Sequence, residues 1–308
     1  MINRTIIRIK VLQIVYSYYQ KNTNDLALAE NELMFSIQKS YDLYHYILLL
    51  IVLLTDAEQK RLDKQKNKFL ATEAERNPNQ RLVDNRLAEL LNRNDQLQKF
   101  AHNKGTFWNN EDSHFVRSIL NKILQSNIYR NYLESDDTFE SDRSFWLKIL
   151  KELILKDDDL DEILENQSIY WNDDLEIIGA FALKTMRRFT VHTQDDYALY
   201  PMFRDPEDKN FAIQLLHHSL LKEEENSRRI TNQISNWDIE RLALIDLYIL
   251  QIAIAELCNF PSIPISVTLN EYIDLARYYS TPKSPVFING ILDAIVKELK
   301  NEKLLFKS

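Results

Sequence analysis

Glycine is almost missing from this chain: Gly105, Gly179 and Gly290 are the only three in 308 residues, beside seven prolines and one cysteine. Sandwiches, barrels and hairpin-rich folds need turn residues at short intervals, so this scarcity argues against them. The three glycines lie far apart, and no phosphate-cradling or dinucleotide loop can be built from them. A lone Cys258 makes neither an internal disulfide nor a zinc quartet, and it suits a reducing compartment. The six histidines show no HExxH spacing, and His217 and His218, being adjacent, point to different helix faces. No Gly-x-Ser-x-Gly elbow is present, and no apolar-flanked carboxylate pair stands out. The expectation is a protein without enzymatic activity, cofactor or metal.

Long hydrophobic runs are also lacking. The most apolar stretch, Ile47 to Leu54, is far shorter than the ~18–20 residues a membrane span requires, and it reads as a buried core helix. The first residues, Met-Ile-Asn-Arg-Thr, do not read as a signal peptide, so a cytoplasmic location is expected. Basic charge is in deficit: the formal net charge is −8, which argues against non-specific coating of nucleic acid. A local basic patch remains compatible with it.

What the chain does have is helix-forming sequence with few breakers. Residues 3–21 carry two apolar stripes, Ile7, Val11, Ile14 and Tyr18, and beside them Ile9, Leu12, Tyr16 and Tyr19. Two stripes exceed a surface helix, so this one is central or covered by a partner. Further helices are expected at about 26–54, 113–133, 143–156 and 173–188, with a break at 75–79 and a loop at 101–112. Asp157 to Asp159 reads as a junction. One long helix is expected at 208–234, burying Ile213, Leu216 and Leu220. Trp237 to Cys258 is apolar on nearly all sides and belongs at the centre of a bundle. After Pro261 and Pro264 come helices at 265–279 and from Ser284 to about Lys300. There Ser284 is a good N-cap with Pro285 at the first position, and Ile288, Ile291, Ile295 and Leu299 face inward. Neither a repeat nor strand alternation is evident. The fold class is all-α.

Residues 264–293 carry a specific pattern: Pro264, Asn270-Glu271, Ala276-Arg277, Ser284 and Phe287-Ile288-Asn289-Gly290-Ile291-Leu292-Asp293. This resembles the C-terminal signature of the NusB transcription-antitermination family, in register and without a gap. Gln13-Ile14-Val15-Tyr16-Ser17-Tyr18 resembles the family's first helix. Asp246 with Ile249-Leu250 and Ile252-Ala253-Ile254-Ala255-Glu256-Leu257 resembles its central helix. The resemblance covers about residues 1–21 and 206–301. Residues 25–205 exceed the compact family plan and resemble the helical insertion of its longer members. Departures are Gln251 for the usual Arg, Tyr279-Ser280 for Phe-Gly, and Lys283 at a commonly acidic loop position.

The resemblance implies two helical bundles: an N-terminal subdomain over 1–235 that includes the insertion, and a C-terminal bundle over 236–308. It implies binding of boxA-type single-stranded RNA together with ribosomal protein NusE, in an antitermination complex with RNA polymerase. Arg4, Arg8 and Lys10 precede the first carboxylate, and Arg4 and Arg8 share a helix face, which suits phosphates. An ordinary solvated helix start is the alternative. Lys283 sits where free N–H groups favour a phosphate. Phe287 either stacks an unpaired base or belongs to the core. Asn289 either bonds a base edge or caps a helix. A single cradle is expected to join the basic start of the chain to the Lys283–Phe287 corner. Tyr16, Tyr18, Tyr19, Asp246 and Tyr248 are candidates for the NusE face, with Tyr18 equally at home in the core. Gly290 inside a helix costs about 1 kcal/mol against Ala, which points to close packing. A helical scaffold of the same fold without RNA binding is the competing reading. Certain rRNA methyltransferases carry a NusB-like domain, but neither a methyl-donor loop nor a cysteine pair follows here.

Overall fold

A computed structural model of the chain describes residues 1–21, 25–105, 108, 113–234 and 243–305. Among them every regular element is a helix, and the one β contact is an isolated bridge between Ile2 and Phe203. The all-α expectation holds. The helices are α1 (Arg4–Gln20), α2 (Leu26–Lys66), α3 (Glu73–Arg76), α4 (Arg86–Arg93), α5 (Asp95–Lys104), α6 (Ser113–Gln125), α7 (Asn127–Glu134), α8 (Phe139–Glu152), α9 (Asp158–Gln167), α10 (Leu175–Arg188), α11 (Pro206–Leu221), α12 (Glu223–Gln233), α13 (Leu244–Asn259), α14 (Ile265–Tyr279) and α15 (Ser284–Asn301).

The polar residues between apolar stretches account for most helix starts. Asn3, Asn85, Asn94, Ser126 and Thr138 each accept a first-turn backbone N–H, and Thr72 with Glu75 forms a capping box. Three expectations change. The single helix over 208–234 is two, broken at Lys222. Glu223, Glu224 and Glu225 follow the break and open α12, where carboxylates favour the positive end of a helix. The helix expected at 113–133 restarts at Ser126, which caps α7. The first residues of the loop expected at 101–112 are helical, since α5 runs to Lys104 and is capped by Gly105, whose φ of 70° is strained for any residue with a Cβ; residues 106–107 and 109–112 lie outside the described residues. Trp237 and Leu242, assigned above to the central helix, lie outside the described residues, and so does the 235/236 boundary.

Two compact units are present: a terminal unit, Ile2–Ile37 with Phe203–Ser308, and a middle unit, Gln38–Met202 with Met1. Apart from Met1, the middle unit lies within the stretch 25–205 read above as an insertion. Its core holds Tyr44, Trp108, Trp146 and Phe189, and Ile47 to Val52 is buried there as expected. By length and composition α2 is apolar enough to cross a membrane, but 72% of its most apolar window is buried. One buried polar relay of the middle unit joins Asn85, Tyr132 and Asp142. Asn85 donates to the Tyr132 hydroxyl at 3.1 Å, and Tyr132 donates to Asp142 at 2.7 Å.

In the terminal unit, α1 and α13 are central. α1 buries every residue from Ile6 to Leu12, and α13 buries every residue from Tyr248 to Leu257. α11, α14 and α15 pack around α13. Ile288, Ile291, Ile295 and Leu299 of α15 all face inward. On α11, Phe211, Leu215, Leu216 and Leu220 are buried, whereas Ile213 is only half-buried.

Candidate RNA and partner interface

The candidate residues gather at the two ends of α13, all within the terminal unit. At its C-terminal end lies an ion-pair network. Arg8 is 2% exposed, and its Nε and Nη2 donate to the two oxygens of Glu256 at 2.7 and 2.8 Å. Thr268 and Tyr272 donate their hydroxyl protons to the same carboxylate at 2.9 and 3.0 Å. Arg8 Nη1 lies 3.3 Å from Glu271, which also accepts from Thr5. Burial alone would lower the Arg8 pKa, but the bonds and charge of Glu256 outweigh it and keep the guanidinium charged. Arg4, with its side chain 35% exposed, pairs with Asp208 at 3.2 Å and lies over the Phe211 ring at 4.9 Å. Lys10 is completely buried.

Arg8 and Lys10 therefore cannot offer phosphate contacts from the surface expected of them. The reason is α1 itself. A helix apolar on two stripes sits at the centre of its bundle and carries its cations inside, where each needs a partner. Glu256 was missed as that partner. The available signal was a carboxylate amid the apolar run of α13, which must be satisfied once buried.

The N-terminal end of α13 is aromatic. Tyr19 stacks on Tyr248 with ring centres 5.0 Å apart and an interplanar angle of 9°. Tyr16, 43% exposed, meets Tyr248 edge-on at 6.0 Å, and Tyr18 meets Tyr19 edge-on at 5.5 Å. Gln251, at the position that departs from the family pattern, is buried and donates to the Tyr19 hydroxyl at 2.7 Å and to the Ser219 carbonyl at 2.6 Å. Burial pushes the Tyr19 phenol up to about 12 despite that bond.

Asp246 lies in the first turn of α13 and is buried. One oxygen accepts from the Ser284 hydroxyl at 2.8 Å, and the other has no hydrogen-bond partner among the described residues. Ser284 is thus the first residue of α15 and a bond donor to α13 rather than its N-cap. Lys283 and Asn289 are exposed, whereas Phe287 is buried, so of its two readings the core one fits. Tyr278 and Val286, on either side of Lys283 in the sequence, are 79% and 80% exposed. The sequence reading missed both, and nothing in their spacing distinguishes them from core positions.

α1 and α13 run antiparallel, since Arg8 meets Glu256 while Tyr19 meets Tyr248. Asp246 and Glu256 are ten residues apart on one helix, about 15 Å along its axis. The basic start of α1 and the Lys283–Phe287 corner therefore lie at opposite ends of α13. They do not form the single cradle expected from sequence. The Lys283 corner instead shares its end with the tyrosines. Gly290 is also corrected, because a Cβ there would meet nothing within 4 Å. The glycine at a close approach is Gly179 of the middle unit, whose Cβ would come 2.7 Å from Leu155. Among the described residues no group of three or more His, Cys, Asp or Glu side chains is placed to hold a metal ion.

Comparison with known proteins adds a family. The NusB family matches residues 175–297. The transcription antitermination protein NusB of Geotalea daltonii is 36% identical over 138 residues, covering 44% of this chain and 92% of the relative. That of Salinibacter ruber is 38% identical over 108 residues, 35% of this chain and 68% of the relative. That of Chloroherpeton thalassium is 36% identical over 104 residues, 34% of this chain and 49% of the relative. No solved structure matches.

Proposed function

This chain belongs to the NusB family, and we propose that it is a cytoplasmic, non-enzymatic transcription antitermination factor that binds boxA-like single-stranded RNA together with ribosomal protein NusE and joins RNA polymerase. The observation that carries this reading is the N-terminal end of α13. Tyr16, Tyr19 and Tyr248 form a partly exposed aromatic cluster there, and at the same end Asp246 bonds Ser284, the neighbour of exposed Lys283. Aromatics of this kind suit a protein partner. NusE covers the tyrosines, with Tyr18 at their edge, and Asp246 in the first turn of α13 has one oxygen without a hydrogen-bond partner among the described residues. RNA runs past Lys283 and Asn289. Arg4 contributes at most a second, remote contact, because it is already paired with Asp208.

The test is titration of a labelled boxA-like RNA into the chain alone, NusE alone and the two together. The pair should bind more tightly than either component. Replacing Lys283 by Ala should weaken binding and flatten the logarithmic salt dependence by about 0.7, the share of one phosphate on a single strand. Equal affinity for a scrambled RNA would end this reading. The internal pairing of the α1 cations favours a second one, a NusE-binding scaffold that has lost RNA binding. Capture of NusE with no RNA affinity above that of NusE alone selects it.

A further inference from the structure

The middle unit carries a groove lined by none of the residues proposed above for RNA or NusE. It lies between one face of α2 and one face of α6 and encloses about 440 Å³, within the range of small-molecule sites. On α2, Leu53 and Ala57 are one turn apart, and Lys60 and Lys64 continue the adjoining row, so one strip changes from apolar to cationic along its length. On α6, Val116 and Leu120 face the groove beside Arg117 and Asn121. Trp108 closes the floor at 1% exposure. Its indole N–H is already spent on the Tyr46 carbonyl at 3.1 Å, so the ring offers only apolar contact.

Charge distinguishes this groove from a solvated dimple. The chain as a whole carries −8, yet among the described residues lining the groove Lys60 and Lys64 stand on the rim with Asp56 the one carboxylate, while Arg117 is engaged in an interaction of its own. Arg61 also lines it but is held by Glu58 through two bonds of 2.6 and 2.7 Å. A cationic rim over an aliphatic floor complements a molecule with an anionic head and an apolar body. Single-stranded RNA fits less well, since such grooves stack bases on exposed rings and Trp108 is not exposed.

We propose that the α2–α6 groove binds a free single-chain amphiphile with an anionic head, the head at Lys60 and Lys64 and the chain over Leu53, Val116 and Trp108. Calorimetric titration of the full-length chain with dodecanoate, below its micellar concentration, tests this. One site is expected. Decanoate should bind roughly tenfold more weakly, the loss for two buried methylenes. Dodecyltrimethylammonium, with the same chain and the opposite charge, should not bind measurably. The double variant Lys60→Glu/Lys64→Glu, both exposed positions, and Ala57→Phe, which fills the groove, should each weaken dodecanoate at least tenfold with an unchanged circular-dichroism melt. The proposal is overturned if the cationic amphiphile binds equally well or if charge reversal changes affinity less than twofold. It is also overturned if a short oligoribonucleotide displaces dodecanoate, or if the protein sediments with phosphatidylglycerol vesicles while ignoring free dodecanoate.

Discussion

Replacing Arg8 by Ala should unfold the terminal unit long before it touches RNA affinity. Glu256 is completely buried and takes its charge compensation from Arg8 through two short bonds. Truncation takes the Arg8 charge from a carboxylate inside the bundle, which keeps the hydroxyls of Thr268 and Tyr272. Breaking one partner of a buried pair in this way costs about 3–5 kcal/mol. For a unit of this size that lowers the melting temperature by about 10–15 °C. Scanning calorimetry of both proteins measures it. A companion variant, Arg8→Met/Glu256→Leu, removes both charges and should recover a large part of the loss. The reasoning is refuted if Arg8→Ala melts within 2 °C of wild type while RNA binding collapses, because Arg8 would then be a surface ligand.

Three further outcomes follow from the same geometry. Gly290→Ala should stabilise the terminal unit by about 1 kcal/mol in thermal melts, since the position is helical and exposed, and an added Cβ meets nothing within 4 Å; a loss of stability would restore the close-packing explanation. The protein should lose stability between about pH 10 and 12, because Tyr19 is pushed up to about 12 and Tyr44, Tyr132 and Tyr272 are also raised, all with burial as the first cause. A raised folded pKa leaves stability intact below the unfolded value and removes it as pH passes upward; absorbance at 295 nm should show these phenols ionising only with unfolding. Tyr16→Ser should weaken NusE capture at least tenfold in a surface-binding assay while leaving the melting temperature within about 2 °C, because Tyr16 is partly exposed and contributes to the cluster from its rim.

Much of the fold is written in local patterns. The double apolar stripe of residues 3–21 and the all-round apolarity of α13 mark both as central, and both are. The Pro264 and Ser284-Pro285 punctuation places α14 and α15 to within a residue. What was not legible is long-range. Arg4, Arg8 and Lys10 look alike in a sequence, and only the packing of α1 against α13 separates two buried cations from a half-exposed one. The antiparallel pairing of α1 and α13 also decides which candidates become neighbours. Helical periodicity says which residues share a face, but not which end of the partner helix they meet, so the tyrosines and Lys283 were assigned separately although they share one end. Lys222 carries no breaker chemistry of its own, and the three glutamates behind it, suited to a first turn, are the local sign of a new helix start.

The most direct measurement is hydrogen exchange of the backbone amides with NusE alone, and then with NusE and a boxA-like RNA. NusE should slow exchange around Tyr16 to Tyr19 and in the first turns of α13. Adding RNA should extend protection to residues 283–289 and leave residues 4–8 unchanged. Protection that appears at the start of α1 and spares the Lys283 corner would contradict the account.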